Sequence, residues 1–160
     1  MAASSALVVF LKRDNRHAAV ADKPECVPSL THELTLRVRY SETDQLGTYY
    51  NSRVLEWFEV ARTELMRAAG VPYVDWEKQG FMLPLVEAHV NYRGRARYDD
   101  LLHLRVSMEK AGRASVRFAV QITNDAGQPV ADGYTIHAVV DAAGRAMRPP
   151  AWLIQLLKTS

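Results

Sequence analysis

What most limits how this chain can fold is one apolar stripe of helical period, set between segments that alternate with the period of a strand. Val54, Phe58, Ala61 and Leu65 are spaced by four, three and four residues. Leu55, Trp57, Val60, Met66 and Ala69 widen that stripe past half the circumference, leaving Ser52, Glu56, Glu59, Thr63 and Arg67 as the polar remainder. The spacing predicts a helix over 51–69, about 28 Å long at ~1.5 Å per residue. Asn51 or Ser52 can cap its start, and Gly70 followed by Pro72 ends it. So wide an apolar face needs cover on most sides, and the same spacing makes Trp57, Phe58 and Met66 core residues.

The cover has to come from the flanking segments. Leu34, Leu36, Val38 and Tyr40 alternate with polar residues, as a half-buried strand requires. Beyond a short helical stretch at 73–79, the same period recurs four times. It runs through Val86, Ala88, Val90 and Tyr92, then Leu102, Leu104, Val106 and Met108. It continues through Val116, Phe118, Val120 and Ile122, and ends with Tyr134, Ile136, Ala138 and Val140. Turns at 111–112, 124–127 and 141–144 join most of them, and a short apolar segment, 152–157, follows Pro149-Pro150. Short connections force antiparallel neighbours. The predicted class is α+β, with a sheet of about five antiparallel strands curling around one long helix. The outer face of the sheet and its edges would then need a partner, which points to a homodimer or homotetramer.

The first 30 residues lack this regularity and contain Pro24 and Pro28, so the domain is expected over 31–160 behind a poorly ordered leader. The apolar patch of residues 6–11 is too short to span a membrane, and its basic residues follow it, the wrong order for a secretory signal. Asp14, Asp22 and Glu25 argue against an organellar transit peptide. The single cysteine, Cys26, rules out an intrachain disulfide and suits a reducing, cytoplasmic setting. A net charge of +2 gives no long basic face for nucleic acid.

Several chemistries are missing. There is no G-x-S-x-G elbow, no dinucleotide or phosphate-cradling glycine loop, and no histidine spacing suited to a metal. Neither a cofactor nor a metal is expected. His89, His103 and His137 fall on the more polar faces of their strands, as solvated or hydrogen-bonded histidines do. The informative stretch is the junction between the first strand and the helix. There Asp44 can close an Asx turn with Gly47 at positive φ. It can also present a carboxylate beside the unpaired amides and positive dipole end of the helix, the pair that acyl transfer requires, and there it would either activate water or attack the carbonyl itself.

The stretch VRYSETDQLG at 38–47, running into LEWFEVARTE at 55–64, closely resembles the hotdog-fold acyl-CoA thioesterases of the 4-hydroxybenzoyl-CoA thioesterase and YbgC-like group. ARYDDLL at 96–102, GRAS at 112–115 and ADGYTIHAVVD at 131–141 resemble the same group, so the likeness spans residues 34–156 in order. The resemblance implies a helix wrapped by a curved antiparallel sheet and hydrolysis of an acyl-CoA. It makes Asp44 the match to the catalytic aspartate and Tyr40 the match to a site-lining tyrosine. The helix-start amides near Tyr50 and Asn51 match the carbonyl-polarising element, and Gly47 is a further candidate for positioning the substrate. YbgC-like proteins usually carry a histidine where this chain has Asn51, and the 4-hydroxybenzoyl type a tyrosine. Asn51 can orient water or substrate but cannot act as the base. Arg93, Arg95, Arg97, Lys110 and Arg113 are candidates for the coenzyme A phosphates, or else form a solvated basic face. Two alternatives stay open: a thioesterase acting on acyl groups held by a carrier protein, and a non-catalytic acyl-CoA-binding module.

Overall fold

The computed structural model describes residues 30–110 and 112–157, without the side chain of Lys110. The expected leader, including Cys26, lies outside the described residues. Five strands, β1 (Leu30–Arg37), β2 (Leu85–Tyr92), β3 (Leu101–Lys110), β4 (Ser115–Asn124) and β5 (Pro129–Ala138), form one antiparallel sheet in the order β1-β3-β4-β5-β2. The long helix α1 (Arg53–Ala68) packs across β1, β3, β4 and β5, and the short helices α2 (Tyr73–Lys78) and α3 (Ala151–Leu156) close its far end.

The expected class holds because the periods hold. Leu102, Leu104, Val106 and Met108 of β3 and Val116, Phe118, Val120 and Ile122 of β4 are all buried. They face the helix residues Val54, Trp57, Phe58, Ala61, Leu65 and Met66, also buried. Gly133 of β5 lets the layers meet: a Cβ there would stand 2.0 Å from the His89 carbonyl oxygen and 3.1 Å from Phe58 Cε2. Trp152 of α3 meets Trp76 of α2 edge to face at 4.7 Å.

Four expectations need correction. The first strand ends at Arg37, and Tyr40 lies instead in a 3-10 turn (Tyr40–Glu42), 77% exposed. Alternation continued past the strand because Val38 turns inward without belonging to the ladder; its amide bonds the Asp100 carbonyl. The helix starts at Arg53, and neither Asn51 nor Ser52 caps it with a side chain; Ser52 holds the cap position in a helical conformation with no side-chain bond. Its apolar face is open on one flank, since Leu55 and Val60 are exposed. Finally, β5 presents the opposite face from the one expected. Thr135, His137 and Val139 are buried while Tyr134 and Ile136 are not, because β5 carries apolar residues on both faces and a one-residue slip exchanges them.

The two surfaces expected to need a partner also differ. The outer sheet face is polar, carrying the ion pairs Arg105–Glu33 and Arg117–Glu109 and the His103–Asp125 contact. The β2 edge is apolar and open, with Leu85 and Val86 exposed, Val86 by 66%.

Candidate active site

Asp44 sits at the tip of a small hairpin between β1 and α1. Its carboxylate Oδ1 accepts the Leu46 amide at 2.8 Å, its carbonyl accepts the Gly47 amide at 3.1 Å, and its own amide donates to the Thr48 carbonyl at 2.9 Å. Gly47 takes φ +67°, which a side chain would resist. The Asx turn therefore exists. It occupies one carboxylate oxygen, while Oδ2 has no partner among the described residues. Thr43 bridges to Tyr49, and the Tyr50 amide donates to the Glu42 carbonyl at 2.8 Å, so the hairpin closes three residues ahead of α1.

Beyond that closure the chain leaves donors unspent. The Arg53 amide bonds the Tyr50 carbonyl at 2.9 Å and the Leu55 amide bonds the Ser52 carbonyl at 3.2 Å. The amides of Asn51, Ser52 and Val54 find no acceptor among the described residues, and buried Nε of Arg53 has none either. Together with the positive end of the helix dipole, these amides suit a negatively charged oxygen. The Tyr50 amide does not belong to that set, because Glu42 already holds it. Tyr50, Asn51 and Gly47 are exposed around this mouth.

Several anchoring residues escaped the sequence reading. Glu42, 1% exposed, receives four hydrogen bonds on its carboxylate: from the Arg39 amide at 2.7 Å, Arg39 Nε at 3.1 Å and Nη2 at 2.8 Å, and Trp57 Nε1 at 3.1 Å. Burial alone would raise its carboxyl, but the Arg39 and Trp57 donors hold it below the ordinary glutamate value. The buried Tyr49 hydroxyl faces the carbonyls of Gly94 and Val130, its ring packs on Trp57 and Tyr92, and burial raises its pKa. Tyr92, at the end of β2, donates its hydroxyl to the Asn51 carbonyl at 3.0 Å. No hydrophobic period could announce these polar anchors. The Arg39-x-x-Glu42 pair was the one available signal.

The basic candidates divide. The 93–97 segment is stitched to the hairpin, since the Tyr49 amide bonds the Ala96 carbonyl at 2.9 Å and the Thr48 hydroxyl bonds the same carbonyl at 3.1 Å. Arg95 and Arg97 therefore flank the Asp44 hairpin with exposed guanidinium groups, and Tyr98 beside them meets Tyr40 edge to face at 5.6 Å. Arg93 is committed to Asp132, an ion pair that raises the arginine and lowers the carboxyl. Lys110 and Arg113 belong to the opposite end of β3, about 30 Å from Leu101 at ~3.3 Å per residue. Within one protomer they do not join the same site.

His137 is buried, not solvated. Its Nδ1 must carry the proton that the Leu83 carbonyl accepts at 2.9 Å, so Nε2 accepts from the Thr135 hydroxyl at 3.1 Å. Burial lowers its pKa. It lines a groove of about 340 Å³ that runs from Leu55 along α1, past Glu59 and Arg62, to buried Leu83 and to Leu85 at the start of the open β2 edge.

Comparison with known proteins bears on the family of the chain. The family model described as the thioesterase-like superfamily matches residues 38–157. The Bacillus subtilis protein named "Putative acyl-CoA thioesterase YneP" is 32% identical over 106 residues, covering 66% of this chain and 77% of that one. A 1,4-dihydroxy-2-naphthoyl-CoA hydrolase of Synechococcus is 29% identical over 119 residues, covering 71% of this chain and 79% of that one. The crystal structure of a DHNA-CoA thioesterase from Staphylococcus aureus superposes with a TM-score of 0.70 at 28% identity, covering 74% of this chain and 80% of that one. One helix held in a curved five-stranded antiparallel sheet, and a family match that runs from just past β1 through α3, make this chain a member of the thioesterase-like superfamily with the hotdog fold.

Proposed function

We propose that the protein hydrolyses an acyl-CoA, R–CO–S–CoA plus water giving R–COOH plus CoA–SH, at the mouth of α1. The observation that carries this reading is one carboxylate with a spare oxygen, held two residues from the point where the chain closes onto a helix start whose amides lack acceptors. Asp44 takes a proton from water as the water attacks the thioester carbonyl. The oxyanion forms against the Asn51, Ser52 and Val54 amides. Collapse expels the thiolate, which takes its proton back from the Asp44 carboxyl. Asn51 orients water and does not titrate.

Arg95 and Arg97 are well placed to meet the coenzyme A phosphates, with Tyr40 and Tyr98 at the rim. The acyl group would run into the groove along α1, where Arg62, Thr135 and Glu59 offer polar partners to a substituted acyl group. The relatives named for 1,4-dihydroxy-2-naphthoyl-CoA support a hydroxylated aromatic acyl group as one substrate to try first. A second copy, pairing along the open β2 edge, would cover Leu85, Val86 and the exposed flank of α1. It would also bring a second Lys110 and Arg113 within reach of the assembly. The single cysteine favours the cytoplasm as its setting, and no described helix is long and apolar enough to cross a membrane.

The test is release of free thiol from short, long and hydroxyaromatic acyl-CoAs. Turnover well above the spontaneous rate on at least one class is expected. Tight binding of acyl-CoA with no thiol released from any class would contradict the assignment and leave a binding module.

A further inference from the structure

A carboxylate as deeply buried as Glu42 is costly unless its oxygens are fully hydrogen-bonded, and here they are. What distinguishes it is where its partners come from. The Arg39 amide and guanidinium belong to the exit from β1. Trp57 Nε1 belongs to the second turn of α1 and is itself buried. The main-chain carbonyl of the same residue receives the Tyr50 amide from the returning arm of the hairpin. One residue thus joins the departing strand, the returning arm and the helix, two positions before Asp44. The guanidinium side of the pair is largely in water, with the Arg39 side chain 69% exposed, so the arrangement is a poor device for stability alone. An apolar side chain would fill this space against Trp57, but it would not fix the hairpin at a set distance and angle from the helix.

We infer that Glu42 is a positioning residue for the hydrolysis proposed above: it clamps the Asp44 hairpin to the mouth of α1, so that the carboxylate and the free amides converge on one carbonyl. The inference rests on that reading of Asp44. Misplacement of a reacting group by about 1 Å costs on the order of 100-fold, so the clamp acts on turnover, while Arg95, Arg97 and the acyl groove keep substrate affinity.

The experiment uses Glu42→Gln, which keeps the shape but removes the charge, and Arg39→Met as a milder second variant. Both are placed alone and in an Asp44→Asn background, at a temperature where urea titration shows each to be folded. Expected results for Glu42→Gln are a fall in kcat of roughly 10- to 100-fold with KM within about twofold, and a smaller fall for Arg39→Met. Neither change should lower the residual rate further once Asp44 is gone. Amide hydrogen exchange should quicken at Leu46, Gly47 and Tyr50 while the interior amides of α1, such as Leu65, stay protected. An unchanged kcat in the folded variants would overturn the clamp. So would a loss that simply adds to that of Asp44→Asn, or exchange that quickens evenly through the domain. If Glu42→Gln fails to fold, Arg39→Met carries the same readouts. If the unaltered protein hydrolyses no thioester, the activity reading falls by itself, and local against uniform exchange still decides what Glu42 does.

Discussion

At its C-terminal end α1 returns the carbonyls of Leu65, Met66 and Arg67 to donors of the following chain. The Val71 amide bonds the Met66 carbonyl at 3.0 Å, the Gly70 amide bonds the Arg67 carbonyl at 3.0 Å, and Gly70 takes φ +76° to make both possible. Trp76 and Leu65 bury the end. At its N-terminal end the same helix has no side-chain cap, leaves the amides of Asn51, Ser52 and Val54 without acceptors, and is ringed by exposed Tyr50, Leu46 and Tyr40. One end is finished for stability and the other is left open. A helix start without a cap forgoes about 1 kcal/mol, and in the proposed site that loss leaves the donors free for the oxyanion.

The contrast can be broken from either end. The largest effect is expected from Asp44→Asn. Asparagine still accepts the Leu46 amide, so the Asx turn and the fold survive while kcat falls at least ~100-fold, or about 2.7 kcal/mol. Steady-state kinetics beside a urea titration separates the two. Ser52→Asp comes next. A carboxylate at the cap should claim the Val54 amide and set a negative charge beside the other two, gaining about 0.5–1 kcal/mol of stability while lowering kcat/KM roughly tenfold, because the oxyanion then meets an occupied donor and a negative charge. A variant gaining stability without losing activity would show that those amides have no role. At the finished end, Gly70→Ala forces a side chain into left-handed backbone and should cost about 1–2 kcal/mol with kcat unchanged.

Midway along α1 the smallest effect is a pH slope. Burial depresses the His137 imidazole below its ordinary value of about 6.5. Above that pH both folded and unfolded chains hold it neutral, and stability is full. As pH falls, the unfolded chain takes a proton that the folded imidazole refuses, so stability declines until the folded value is passed. Between pH 6.5 and 5.5 the loss should stay below about 1 kcal/mol, and His137→Gln should flatten that part of the urea-midpoint profile.

Much of the fold was legible because period and burial coincide where both faces of an element differ. β3 and β4 alternate cleanly, and Gly70 with Pro72 marked the finished end of α1. Legibility failed where apolar residues serve two surfaces. In β5, Tyr134 and Ile136 look inward by pattern, yet Thr135 and His137 take the interior because Gly133 admits the His89 carbonyl and Phe58 on that side. In β2, Val86 and Tyr92 alternate like core residues but lie at an edge.

Within the candidate site, chain-local features could be read: Asp44, Gly47 and the approaching helix start. Glu42 could not, since its burial depends on Trp57 fifteen residues away and on Arg39 folding back over it. The scatter of the basic residues could not be foreseen either, because the end of the sheet that receives Lys110 and Arg113 is set by strand order.

The most direct test uses an uncleavable acyl-CoA analogue in which a methylene replaces the thioester sulfur, keeping the carbonyl. Bound to the protein and seen by crystallography, its carbonyl oxygen should lie about 2.7–3.1 Å from at least one amide among Asn51, Ser52 and Val54, with the Asp44 carboxylate facing the carbonyl carbon through one water. A carbonyl seated away from the start of α1, with Asp44 Oδ2 turned to bulk solvent, would contradict the account.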